Sequence, residues 1–258
     1  MRVFIVSDME GVAGITIALT PVVSLAMNRS HSFRAPTVEE LFSGAAHAGT
    51  GAVELGNPEL AHERGVSHEA VLSVRSRRLV AQLAAYRNRI GNYTRLVALG
   101  DTMVAGARLP LLVYGQADAV ISGADASVEW SATDALVLGV VGDVLRGSEA
   151  DGTPLSYMPA PRVGSTMRWE RGIWSGGAEV VRVARQHRVG AAEETPTHAY
   201  TLLRATFGVR GALGGRMHSV TLRGDNLTDR LYAESTSRIK DFAPAAGRSV
   251  SLLYRVEL

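Results

Sequence analysis

Asp8 and Glu10 are the first residues whose types and spacing could do chemistry. Two carboxylates at i and i+2 at the end of a short apolar run, Val3-Phe4-Ile5-Val6, project to one side. Gly11 and Gly14 would let the backbone turn closely around a cation. That arrangement supplies two ligands of a zinc site, and a catalytic zinc needs at least one more from the protein. The histidines that could complete it are His31, His47, His62 and His68, which read as solvated loop or lumen positions instead. On that reading Asp8 and Glu10 form a polar turn, with no metal and no catalytic residue assigned. A second constellation is cationic: Arg185, Arg188, Arg204 and Arg210 could line a lumen and attract an anionic chelate. No phosphate-binding glycine loop, nucleotide fingerprint or nucleophile elbow is present.

The elements that must carry these residues alternate with period two. Val250, Leu252, Tyr254, Val256 and Leu258 share one face, and Ser249, Ser251, Arg255 and Glu257 the other. Leu203, Ala205, Phe207 and Val209 oppose Arg204, Thr206, Gly208 and Arg210, and a hairpin turn over Gly211–Gly215 leads to Val220 and Leu222 opposing Ser219, Thr221, Arg223 and Asp225. The same theme sets Val163, Met167 and Trp169 against Thr166, Arg168 and Glu170, and Ala70, Leu72 and Val74 against Glu69, Ser73 and Arg75. Leu136, Leu138, Val140 and Val144 make a further apolar face, whereas the segments near Leu83 and Val181 are mixed and the one through Asp118 changes phase near Gly123.

Short links near Arg77-Arg78, Ala132–Asp134, Arg171-Gly172 and Gly211–Gly215 alternate with long ones at His31–Arg64, Asn92–Pro110, Glu149–Pro159, Val189–His198 and Thr228–Gly247. Tight turns at one end and long loops at the other are the pattern of an up-and-down membrane barrel. Soluble sandwiches and solenoids also alternate, but their strands run to about five or six residues, and these segments are longer. Tyr86, Tyr114, Trp130, Tyr157, Trp169, Trp174, Tyr200 and Tyr254 fall near strand ends, as the aromatic girdles of such barrels do. The expectation is an all-β, antiparallel transmembrane β-barrel portion of about ten or eleven strands.

Composition agrees. The chain has 258 residues, 46% hydrophobic and 20% charged, with a net charge of +2 and no cysteine. No apolar run reaches the length of a membrane helix, disulfides and thiolate metal sites are excluded, and the scattered basic residues form no nucleic-acid stripe. Met1-Arg2 is followed by only four apolar residues before Ser7 and Asp8, so no export signal is expected within this sequence.

Three stretches resemble a known family. Ser32–Phe42, SFRAPTVEELF, followed by Gly56-Asn57-Pro58-Glu59-Leu60 and Glu63, is similar to the "SFRAPxxxELF … GNPxLxxE" segment of TonB-dependent receptors. Asn226–Asp229 with Tyr232 resembles their "NLTDxxY", and the terminal strand resembles the signal read by the barrel assembly machinery, except that it ends in Leu258 rather than Phe or Trp. The resemblance covers residues 17–258. It implies half of a barrel of about 22 strands without its N-terminal plug, an outer-membrane location, and import of iron–siderophore or similar nutrient complexes by the complete receptor. The partners implied are outer-membrane lipid, the assembly machinery, a small metal chelate, and TonB only where a plug is present. Met1–Thr16, by contrast, resembles the opening of zinc-dependent D-aminopeptidases, in which the positions of Asp8 and Glu10 bind zinc. The expected division is therefore 1–16, a foreign segment, and 17–258, an incomplete receptor barrel that is not an enzyme, with a metallo-aminopeptidase as the alternative.

Overall fold

The computed structural model describes residues 2–7, 12–47, 51–190 and 194–257. Among them a single sheet holds 14 strands: β1 Arg2–Ser7, β2 Val12–Ala18, β3 Val23–Arg34, β4 Gly44–His47, β5 Ala52–Leu55, β6 Glu63–Arg75, β7 Leu79–Val104, β8 Ala107–Ser131, β9 Leu136–Glu149, β10 Arg162–Arg171, β11 Trp174–Val183, β12 Tyr200–Leu213, β13 Arg216–Asp225 and β14 Ser249–Glu257. All except β4 and β5 follow one another as antiparallel neighbours, from β1 at one edge to β14 at the other. The short hairpin β4–β5 is attached by a parallel pairing of β5 with β8. A five-residue helix, α1 Val38–Phe42, lies between β3 and β4.

The period-two faces read from the sequence are those of the sheet. Opposite residues in the register share a face, so Leu25, Leu72, Leu83, Ala126 and Gly142 lie in one row across β3, β6, β7, β8 and β9. Leu136, Trp169, Gly176, Phe207, Leu222 and Leu252 lie in another, from β9 to β14. This apolar face is bare: Val140 is 51% exposed and Phe207 52%. So broad an apolar surface facing water would drive association, and it is what a lipid-facing wall requires. In β9 the stripe from Leu136 to Val144 rises about 27 Å along the strand, enough to cover roughly 20 Å of bilayer at a tilt near 40°.

The polar face is cross-linked instead. Arg162 binds Asp143 and Arg204 bridges Glu179 and Asp225 between neighbouring strands, while Arg168 in β10 reaches across β9 to Glu129 in β8. Tyr86 also lies on this face, its hydroxyl occupying the space where a Cβ at position 123 would sit, 2.5 Å away. Gly123 thus admits the ring, and β8 keeps its register with β9 through that point without the phase change its sequence hints at.

Several expectations need correction. The strand count exceeds ten or eleven because β1 pairs with β2 over Arg2–Ser7 and the connection after β3 adds the β4–β5 hairpin; β2, Val12–Ala18, contains both Thr16 and Ile17. Asn92–Pro110 is no loop, since β7 continues to Val104 and β8 starts at Ala107, with register shifts between Ile90 and Tyr93 and between Ala98 and Gly100. These extensions rise beyond the apolar stripe, where neither face meets lipid and alternation is not required. His31–Arg64 contains the end of β3, α1, β4 and β5. The Gly211–Gly215 turn shortens to Gly214-Gly215, as β12 runs to Leu213 and β13 starts at Arg216. Among the described residues there is no plug.

Candidate functional site

All the long connections emerge at one end of the sheet, and there they fold into a cap. Its first part is built from the SFRAPTVEELF segment. Thr37 caps α1, accepting from the Glu40 amide at 3.2 Å, while the Glu40 carboxylate accepts from the Thr37 amide at 2.7 Å. Arg34 joins Glu40 at 2.8 Å and also binds Glu63, the last residue of the motif. Burial alone would raise the Glu40 pKa, but the Arg34 guanidinium and the Thr37 amide outweigh it and hold the carboxyl below its ordinary value. Gly56 lies so close to α1 that a Cβ there would collide with the Phe42 nitrogen, and the Gly56 and Asn57 amides donate to the Ser43 and Glu40 carbonyls. The motif residues are thus fasteners of a loop.

A second knot joins three connections. Glu194 accepts from the Tyr157 amide at 2.9 Å, the Gly190 amide at 3.1 Å and Lys240 Nζ at 3.4 Å. Both charged side chains are almost fully buried, at 2% and 0% exposure, and Lys240 is the only lysine in the sequence. Lys240 also sits 5.1 Å from the Tyr157 ring centre and donates to the Ser235 carbonyl. In the NLTD segment, Asn226 donates to the Arg230 and Ala246 carbonyls and accepts from the Arg230 amide. Asp229 accepts from the Arg248 amide, and Tyr232 packs on Tyr200 with ring centres 4.5 Å apart. Burial there pushes the Tyr232 phenol above its ordinary pKa.

Between the β7–β8 extension and this knot lies a cavity of about 620 Å³. Its lining includes Tyr93, Arg95, Val97, Leu112 and Glu149 from the strands, Asp151, Thr153 and Tyr157 from the β9–β10 connection, and Arg238, Asp241 and Phe242 from the β13–β14 connection. Arg95 is paired with Glu149, its Nη2 donating to Oε2 at 3.0 Å. Arg238 stacks over Tyr157 at 5.4 Å and lies 3.8 Å from the buried Glu54, to which the Tyr114 hydroxyl donates at 2.9 Å. The Thr153 amide and hydroxyl hold Asp151 below its ordinary pKa, so it is fully ionised at neutral pH. Asp241 accepts from the Thr195 hydroxyl. The lining thus sets Arg95 and Arg238 against Glu149, Asp151 and Asp241. Aromatic walls and near-balanced charge suit a ligand of low net charge.

The residues singled out by sequence fare unevenly. Asp8 and Glu10 lie outside the described residues. Among the described residues no cluster of three or more His, Asp or Glu side chains could hold a metal ion. His31 and His68 sit on the apolar-side face by register, opposite Val66 and Arg29, and not in a lumen. His62 accepts from Arg64 at 2.8 Å, and His47 ends β4. Of the four arginines proposed to line a lumen, Arg204 is neutralised by Glu179 and Asp225, and Arg210 lies 4.0 Å from Glu170. Arg185 and Arg188 line only a crevice of about 80 Å³. The girdle also resolves differently. Trp130, Trp169, Trp174 and Tyr254 ring the apolar face towards the short turns, with Trp174 stacked on Phe207 at 5.5 Å, whereas Tyr86, Tyr114, Tyr157 and Tyr200 belong to the polar face and cap. The cavity residues Tyr93, Arg95, Tyr157, Arg238 and Phe242 carry no motif, and only the fold gathers them.

The family described as "TonB dependent receptor-like, beta-barrel" matches residues 11–227. Among solved structures, the copper transporter OprC superposes with a TM-score of 0.76 at 18% identity, over 93% of this chain and 38% of that one. The siderophore receptor PirA from Acinetobacter baumannii gives 0.70 at 16% identity, over 95% and 40%. The ferric-catecholate import receptor Fiu from E. coli K12 gives 0.66 at 18%, over 94% and 34%. The chain spans between about a third and two-fifths of the length of these structures. None of these matches extends the aminopeptidase likeness of the first residues.

Proposed function

Since the chain belongs to the TonB-dependent receptor-like β-barrel family, whose members are transport receptors, we propose that it forms the wall and outer cap of an outer-membrane importer and that the 620 Å³ cavity is where a small metal chelate is recognised. The cavity carries this reading. It opens among the long connections, on the side where an importer meets its ligand. Its volume matches a drug-sized ligand. Tyr93, Tyr157 and Phe242 supply flat apolar walls for chelating rings, and Arg95, Thr153 and Ser156 supply donors. Because three carboxylates face two guanidiniums there, the preferred cargo is a chelate of low net charge, such as a neutral ferric tris-hydroxamate, over a triply negative ferric tris-catecholate. The metal travels as cargo, held by its chelator.

The test is isothermal titration calorimetry of the detergent-solubilised chain with each of those two complexes. The hydroxamate complex is expected to bind at least about tenfold more tightly, and Tyr157→Ala to weaken it by about tenfold by removing a stacking wall. Absence of saturable binding by either complex would remove the cavity from consideration.

A further inference from the structure

The charged side chains that line the cavity, Arg95, Glu149, Asp151, Arg238 and Asp241, are not equivalent. Arg95 is spent within the wall: its Nε lies 2.6 Å from one oxygen of Glu149 and its Nη2 3.0 Å from the other. A guanidinium set side by side with a carboxylate in this way has little left to offer a further anion. Arg238 is spent behind the wall, 3.8 Å from the buried Glu54, and it covers the Tyr157 ring at 5.4 Å. The other cation against that ring, Lys240, is held by Glu194.

Asp151 and Asp241 remain. Asp151 accepts from the Thr153 amide at 2.9 Å, and Asp241 accepts from the Thr195 hydroxyl. These neutral donors orient the carboxylates without cancelling their charge, and neither carboxylate forms an ion pair among the described residues. Arg95 also favours the ionised form of Asp151, but it is already shared with Glu149. The uncancelled charge of the cavity is therefore negative, which draws in cations and turns anions away. Phe242 follows Asp241 in the chain, lines the same cavity and is 70% exposed. An aromatic face beside a carboxylate suits an alkylammonium, whose methylenes pack on the ring while its N–H groups reach the oxygens.

We propose that Asp151 and Asp241 set the specificity of the cavity, and that its preferred chelate carries a protonated amine apart from its metal-binding groups, so that the whole complex is a cation. The proposal rests on the reading of the cavity as the chelate site; the two carboxylates meet the amine, and the metal stays with its chelator. The test uses the full chain in non-ionic detergent and a single linear ferric tris-hydroxamate in three forms: with a free terminal amine, with that amine acetylated, and with it succinylated. The metal centre is the same in all three, and the net charge is positive, zero and negative in turn. Calorimetric titration is expected to rank their affinities in that order, the amine form binding about tenfold more tightly than the acetylated one, with an advantage that shrinks as salt rises. Combined Asp151→Asn and Asp241→Asn substitutions should bring these two forms together while leaving the affinity for the acetylated form and the β-rich circular dichroism unchanged. Equal binding of the amine and acetylated forms by the unsubstituted chain overturns the proposal and leaves the cavity as a chelate site. Tightest binding of the succinylated form overturns it too, as does an amine advantage that survives the double substitution. Saturable binding of none of the three would instead defeat the reading of the cavity on which the proposal rests.

Discussion

The wall and the cap are held together by different physics. In the wall, strand ladders satisfy the backbone, the polar face is stitched by half-exposed ion pairs, and the other face awaits a solvent of hydrocarbon; Ala84 is a rare fully buried apolar side chain there. The cap has an interior like that of a water-soluble protein, with Leu155, Ala160 and Tyr200 buried beside Gln186, Glu194, Thr197, Asn226, Ser235 and Lys240. One chain therefore contains a part whose stability depends on the medium and a part whose stability depends on saturating every buried polar group.

That contrast breaks most sharply at the knot. Lys240→Met leaves the Glu194 carboxylate buried without its cation and should cost about 3–5 kcal/mol of cap stability. Hydrogen exchange at the Tyr157 and Gly190 amides reads this loss, which should not depend on the detergent used. Val140→Arg places a charge on the bare stripe and should cost about 2–4 kcal/mol. Its measure is denaturant unfolding in lipid vesicles, and the penalty should shrink in water-rich micelles, a dependence the cap variant lacks. Thr37→Ala removes one half of the capping box and should cost about 1 kcal/mol, confined to α1 and its neighbours.

Acid acts on the same corner. The folded Glu40 pKa lies below its unfolded value, so the stability contributed by its ionised form is complete above the ordinary carboxylate range and is lost as pH falls through the folded value. Amide exchange at Leu41 should accelerate on acidification relative to β12, and Glu40→Gln should abolish the difference. The smallest effect belongs to the wall. Arg168→Gln breaks an ion pair whose partners are 58% and 50% exposed, and unfolding should shift by less than about 1 kcal/mol.

Much of the wall is legible in the sequence because lipid imposes strict alternation. Val250 to Val256 and Leu203 to Val209 had to face one way, and they do. Legibility fails where lipid stops. Leu96, Val97, Leu111 and Leu112 sit in strand extensions beyond the lipid-facing stripe, where β5 pairs along the edge of β8 and the cavity lies against Leu96, Val97 and Leu112, so the run has no period to read and resembles a loop. The cavity is hidden for a related reason: Tyr93 comes from β7 and Tyr157 and Phe242 from two connections far apart in sequence, and only the fold brings them together. The motifs SFRAPTVEELF and NLTD were conspicuous yet mark fastenings, with Arg34 and Asn226 spending their hydrogen bonds on neighbouring loops.

Lys240 has one more consequence. As the sole lysine, its amine is hidden against Glu194 and Tyr157, so an amine-directed reagent finds no reactive side chain on the closed cap. Acylation of that residue becomes a clock: each molecule labelled there has opened its outer loops at least once, and the labelling rate counts the openings without any engineered probe.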